Sequence, residues 1–206
     1  GELTGIESGQ FKHGLRDGIW KFFHENGRLG EKGIYKDGKQ DGLWEYFNTD
    51  GTLEKTENYE EGILVTYYEN GHVKTRGDYK DGVEDGLWEY FHENEVLNQR
   101  GNYKDGLKEG LWEYFDENGQ LTNKGNFKDG KSDGLWYFYH ENGQLSGKGN
   151  YKDIKLEGLW EYFHENGQLM SKGNFKDGVE DGLWELYNTD GTLEKTVTYK
   201  DGKLVE

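Results

Sequence analysis

The chain has no cysteine, no proline and one methionine, and only 32% of its 206 residues are hydrophobic. Without cysteine there is no disulfide, no thiol nucleophile and no thiolate metal site, and redox compartment cannot be read. No apolar run approaches the roughly 18 residues of a membrane span, and no signal-peptide pattern is present, so localisation stays open. The chain begins at Gly1 instead of an initiating Met, as a trimmed or matured piece does. Basic residues are also scarce, 25 against 41 acidic, for a formal net charge of −16. Nucleic acid and anionic membranes are held by clustered Lys and Arg that release counterions. Here the lysines stand singly beside acidic residues. Both partners are therefore disfavoured, and a basic protein is what such a field attracts.

Glycine and aromatic residues fill the gap. There are 33 glycines, which leave no uninterrupted window of helical length. Aromatic residues make up 16% of the chain, half of its hydrophobic content. Each such ring buries a large area on folding, which argues against disorder despite the polar composition.

The tryptophans show how this material is arranged. They stand at 20, 44, 88, 112, 136, 160 and 184, so each gap is 24 residues except one of 44. That gap divides into 20 and 24 if Leu64 takes the place of a tryptophan, and a second 20-residue step runs from Trp184 to Leu204. A fixed period of this size marks a repeat array, which offers a long surface more readily than one catalytic pocket. The expectation is a single array over 1–206, with shorter units near 45–64 and 185–204.

Within a unit such as 111–136, the aromatic-rich run Leu111–Phe115 is followed by Asn118-Gly119 and then by the alternating run Leu121–Lys128. Two strand-like runs around Asn-Gly predict a hairpin with a two-residue type I′ turn. That register places Glu117 opposite Gln120, Glu113 opposite Lys124 and Trp112 opposite Gly125, an indole lying over a residue without a side chain. Glu161 and Lys172, and Trp160 and Gly173, follow the same arithmetic. In the other connection, a short form turns at Glu61-Gly62 and sets Tyr59 against Leu64. The usual form, between Phe127 and Trp136, adds four residues, which fit inside the loop if Phe127 still faces Trp136. The predicted fold is all-β without helices, an elongated single antiparallel meander of about eight stacked hairpins and about sixteen strands, roughly 75 Å long at ~4.8 Å per strand. One face carries Trp112, Tyr114, Leu121, Gly125 and Phe127. The other is mixed and charged, with Leu111, Glu113, Phe115 and Lys124.

The segment Tyr-Lys-Asp-Gly-Lys-x-Asp-Gly-Leu-Trp-Glu-Tyr-Phe-x-Glu-Asn-Gly-Gln-Leu stands at 35–53 (in part), 79–97, 103–121, 127–145, 151–169 and 175–193. It resembles the bacterial variant of the MORN repeat, and the resemblance covers almost the whole chain. The resemblance implies antiparallel hairpins stacked into an elongated sheet. Proteins of this kind include YwqK-type antitoxins, partners of secreted bacterial toxins, and ordinary MORN repeats are linked to membrane targeting and scaffolding.

The candidate binding face is the aromatic stripe: Trp20, Trp44, Trp88, Tyr90, Trp112, Tyr114, Trp136, Phe138, Trp160, Tyr162 and Trp184. A glycan could stack there, although mutual packing as the sheet's only core is the stronger expectation. The Asp-Gly loops at 37–42, 81–86, 129–134 and 177–182 put two carboxylates four apart. Calcium needs six to eight oxygens, so turn chemistry is the better reading and no metal site is assigned. His24, His92, His140 and His164 share one repeat position and are expected at solvated turns. No triad and no phosphate-binding loop opening a helix is present, so neither catalysis nor a cofactor is expected. The functional expectation is a non-enzymatic interaction or scaffold repeat, with an antitoxin or immunity partner of a basic toxin as its specific form. A glycan or cell-surface module, or a structural spacer, is the alternative, and exposed edge strands offer oligomerisation by pairing.

Overall fold

A computed structural model describes residues 3–60, 62–80 and 83–205. The turn at Glu61-Gly62 and the loop at 81–86 fall partly outside these residues. Among the described residues there are eighteen strands and no helix. Its contacts divide it into two compact units, 1–86 and 87–206. The first holds β1 (Leu3–Lys12), β2 (Leu15–His24), β3 (Leu29–Lys36), β4 (Lys39–Phe47), β5 (Leu53–Glu60), β6 (Ile63–Tyr67) and β7 (Val73–Lys80). The strand β8 (Val83–Phe91) runs from it into the second unit. There follow β9 (Leu97–Lys104), β10 (Leu107–Phe115), β11 (Leu121–Lys128), β12 (Lys131–Tyr139), β13 (Leu145–Lys152), β14 (Lys155–Phe163), β15 (Leu169–Lys176), β16 (Val179–Tyr187), β17 (Leu193–Lys200) and β18 (Lys203–Leu204). From β1 to β7, and again from β9 to β18, each strand pairs antiparallel with the next in sequence. The fold is the predicted hairpin meander.

The register within the strands is the one the sequence dictates. Trp112 faces Gly125 and Glu113 faces Lys124, Trp160 faces Gly173 and Glu161 faces Lys172, and in the short step Tyr59 faces Leu64. The turns, however, are exchanged. At Asn118-Gly119 the strands end one residue earlier than expected. Asp116 pairs through its N–H with the Gln120 carbonyl, and the Gly119 N–H bonds back to the Asp116 carbonyl. Only Gly119 has positive φ, so this is a three-residue loop closed by a glycine bulge, and Phe115 comes opposite Leu121. Leu121 is thereby paired with a residue of the charged face, not of the tryptophan face.

The two-residue turn with positive φ at both central positions lies instead at Asp129-Gly130, with φ of 49° and 77°, and joins Lys128 directly to Lys131. The predicted loop is therefore absent. Phe127 faces Ser132, not Trp136, and the extra residues form a bulge at Gly134, where φ is 89°. An Asp side chain tolerates the left-handed conformation at the first turn position, and glycine does so at the second without steric cost.

Ile154 holds that second position in one repeat with φ of 68°, and Glu95 holds the bulge position of another with φ of 67°. A β-branched residue there places its Cβ against the following carbonyl, at a cost of about 1–2 kcal/mol. Replacing Ile154, 65% exposed, by glycine is expected to raise stability by about 1 kcal/mol. A lower urea midpoint for this variant would contradict the strain.

Candidate binding faces

The tryptophan face is built from three parts that occur together. The indole of Trp136 lies over Gly125 of the preceding strand, so closely that a Cβ on Gly125 would stand 2.0 Å from the ring. Its Nε1–H donates to the Asn126 carbonyl at 3.1 Å, inside the bulge that separates the Gly125–Trp136 and Phe127–Ser132 pairs. The same bond runs from Trp20 to Gln10, Trp44 to Ile34, Trp112 to Asn102 and Trp160 to Asn150. Trp184 Nε1 is buried without an acceptor. Gly9, Gly33, Gly101, Gly149 and Gly173 each lie beneath the tryptophan of the next strand in the same way. The glycine of a hairpin is thus covered by the tryptophan that follows it, and Trp112 covers Gly101, not the Gly125 it faces across its own hairpin.

Rings complete the layer. Trp136 is stacked against Tyr114 and Phe138 and meets Phe127 and Tyr151 edge-on, with centroid distances of 6.2, 6.1, 5.3 and 5.8 Å. The seven tryptophans, Trp20, Trp44, Trp88, Trp112, Trp136, Trp160 and Trp184, are 0–7% exposed. Burying one such side chain contributes about 4–6 kcal/mol. Tyr90, Tyr114, Phe138 and Tyr162 are half-buried beside them. Burial pushes the Tyr114 phenol up to about 12, with Tyr103 adding to the shift, so it remains a neutral hydroxyl. What this face presents is a row of half-buried phenol and phenyl rings above a sealed layer of indoles. Cations lie on it: Lys108 Nζ is 3.8 Å from the Trp112 ring centre, and the Arg16 guanidinium is 4.8 Å from that of Trp20.

On the other face, Glu45, Glu113, Glu161 and Glu185 pair with Lys32, Arg100, Lys148 and Lys172 at 2.7, 2.7, 2.8 and 3.0 Å. Each partner lies on the preceding strand, whereas the sequence pointed to the following one. Lys124, expected to pair with Glu113, stands 5.7 Å from the ring of Tyr137 on the next strand. Exposed pairs of this kind are screened by solvent and contribute little to stability. Beside them runs one exposed aliphatic residue per repeat: Ile19 and Leu43 in the first unit, and Leu87, Leu111, Leu135, Leu159 and Leu183 in the second, 36–66% exposed.

The repeated histidines are not simply solvated. The Nε2 atoms of His24, His92, His140 and His164 lie 2.8–3.0 Å from the carbonyls of Phe47, Phe115, Phe163 and Tyr187 on the next hairpin. The turn asparagines Asn26, Asn94, Asn142 and Asn166 likewise donate to the tip carbonyls of Thr49, Glu117, Glu165 and Thr189. Tips are therefore tied repeat to repeat. The constant 23-residue separation of these partners is the sequence signal for it. Among the described residues no group of side chains is arranged to hold a metal ion. The Asp-Gly turns are occupied by their own bonds: the Asp129 N–H reaches Glu109, and Lys131 pairs with Asp153 at 3.1 Å.

This geometry defines a one-sided β-hairpin repeat protein whose units differ mainly in surface side chains. Eight consecutive segments, 16–37, 40–61, 60–81, 84–105, 108–129, 132–153, 156–177 and 180–201, match the MORN repeat variant, and the chain belongs to that family. Among curated proteins no relative matches it. A solved structure titled "Crystal Structure of TcdB2-TccC3-Cdc42" is similar at 11% identity and a TM-score of 0.18, over 92% of this chain but only 12% of that one.

Adding a Cβ at Gly125 forces the Trp136 indole aside, so Gly125→Ala is expected to cost about 1–3 kcal/mol. In a Trp136→Leu background, which copies Leu64, the same alanine is expected to cost little. Equal penalties in both backgrounds, measured by denaturant unfolding, would show that something other than the indole demands glycine.

Proposed function

We propose that the chain is a non-enzymatic interaction repeat that holds a basic protein on its leucine-bearing face, in the manner of an antitoxin or immunity partner. The observation that carries this reading is the aliphatic row of the second unit. Leu111, Leu135, Leu159 and Leu183 each stay 36–55% exposed at one position per repeat. The core needs none of them, and with two strands per repeat they recur about 10 Å apart. An apolar line with a polar, charged rim has the composition of a protein interface. The formal charge of −16 favours a positively charged partner and speeds its approach. A flat sugar would want open indoles, and these are under other rings. Membership of the MORN repeat variant family supports a scaffold or interaction role in general.

The triple variant Leu111→Ser, Leu135→Ser and Leu159→Ser tests this. A partner recovered with the wild-type chain is expected to bind the variant at least tenfold more weakly, with an unchanged melting temperature. Its capture is also expected to fall as salt rises from about 0.05 to 0.5 M. A partner indifferent to both the serines and the salt would rule out this face.

A further inference from the structure

The two 20-residue steps share one backbone plan but not one set of side chains. In both, the following strand lacks tryptophan and bulge, so the residue that is glycine elsewhere is free to carry a side chain. Near the chain's end that residue is Val197, facing Trp184. In the first unit it is Glu57, facing Trp44. The difference extends through the neighbourhood. The cross-strand row Glu31–Tyr46–Lys55 of the first step corresponds to Ser171–Leu186–Lys195 of the second. Gln99, Asn123 and Gly147 hold the place of Glu31 in other repeats. Val197 and Leu186 satisfy the packing, so the fold does not require carboxylates or phenols here.

Glu31, Tyr46, Lys55 and Glu57 line a cavity of about 330 Å³, with Tyr35, Gln40, Tyr59 and Tyr79 completing its walls. Glu57 accepts from the Tyr59 hydroxyl at 2.8 Å and from Lys55 Nζ at 2.7 Å, while Tyr46 and Tyr59 share a hydroxyl contact at 3.3 Å. The Lys55 ammonium also lies 4.8 Å from the centre of the Tyr46 ring, and Arg16 lies 5.3 Å from that of Tyr35. Arg16 pairs with Glu7 at 2.5 Å and donates to the Tyr35 hydroxyl at 3.4 Å. Glu31 has no ion pair among the described residues, and burial, with Glu57 adding to it, raises its carboxyl above the ordinary value against the opposing pull of Arg16 and Lys55. Burial likewise pushes Glu57 up, but the bonds from Lys55, Tyr59 and Tyr46 outweigh this and hold it below its ordinary value.

We propose that this cavity binds an alkylammonium cation, taken between Glu31, Glu57 and the tyrosine rings. Carboxylates beside several electron-rich ring faces are suited to an ammonium group, and Lys55 already places one against Glu57 and Tyr46. Of the cavity's two carboxylates, Glu57 is paired with Lys55 and Glu31 has no ion pair of its own, so Glu31 offers the charge for a second cation. The ammonium can come from a free polyamine or from a lysine side chain of a protein.

The site lies on the tryptophan face, and its test is independent of the leucine row. Calorimetric titration with spermidine, with N-acetyl-lysine amide and with neutral butanol separates the chemistries. Both amines are expected to bind and butanol is not. Spermidine binding more tightly assigns the site to free polyamines, and the lysine amide binding more tightly assigns it to protein side chains. Glu31→Gln and Glu57→Val are each expected to weaken amine binding about tenfold. Lys55→Met is expected to strengthen it, because the resident ammonium no longer competes. Val197 shows that valine is tolerated at the position of Glu57, and unchanged melting confirms the fold of each variant. Equal binding of butanol, or the same amine affinity in all three variants, overturns the proposal. The Leu111, Leu135 and Leu159 serine variant is expected to bind amine normally, so failure of either proposal leaves the other standing.

Discussion

The contact on which the structure depends is an indole lying flat over a glycine of the preceding strand, with its N–H on a carbonyl inside a bulge. A single layer of sheet has no second layer to bury its apolar surface against. Here the tryptophan serves instead, because it lies down along the sheet and does not stand up from it. Lying down is possible only where the strand beneath has no Cβ, as at Gly125 under Trp136. The bulge then supplies an acceptor for the indole N–H, which would otherwise be buried unsatisfied at a cost of about 1–3 kcal/mol. The remaining rings fill the spaces between consecutive indoles.

Seen this way, the 20-residue steps are consistent units and not damaged ones. When Leu64 replaces tryptophan, the bulge disappears from the β5–β6 pairing and the glycine beneath becomes Glu57. The β17–β18 pairing shows the same loss, with Val197 as the freed residue. Indole, bare backbone and bulge are gained or lost as one. A position released from this constraint can carry chemistry, and Glu57 does.

Much of this was legible from spacing. The tryptophan period gave the repeat, side-chain parity gave the strand register, and the pairing of Trp112 with Gly125 and Glu113 with Lys124 followed from counting outward from a turn. The turns are not legible in this way, because Asn-Gly and Asp-Gly carry the same conformational permission. Which of them closes a two-residue hairpin shows only in the backbone bonds of the turn itself, such as that of the Gly119 N–H to the Asp116 carbonyl. Neighbour choice was hidden for a related reason. A central strand has partners on both sides, and pairing across one hairpin cannot tell whether Glu113 bonds forward to Lys124 or back to Arg100. Burial could not be counted in a sequence either. The aromatic stripe was visible, but its division into sealed indoles and half-open tyrosines depends on how the rings overlap. The cavity beside Glu57 could have been found by comparing 31–59 with 171–199, where one backbone plan carries two different sets of side chains.

The direction of the covering contact has a consequence for how the protein is made. Each tryptophan reaches back to a strand synthesised before it, and the histidines bond to the hairpin that comes after. As the chain leaves the ribosome, an indole such as that of Trp136 therefore finds its glycine bed already made, and only the ring that closes it from the far side, here Tyr151, is still to come. A strand laid down at the start of the chain leaves its glycine open only until the next tryptophan emerges. The covering contacts run one way along the chain, like shingles laid from one end, with each course covering the one before.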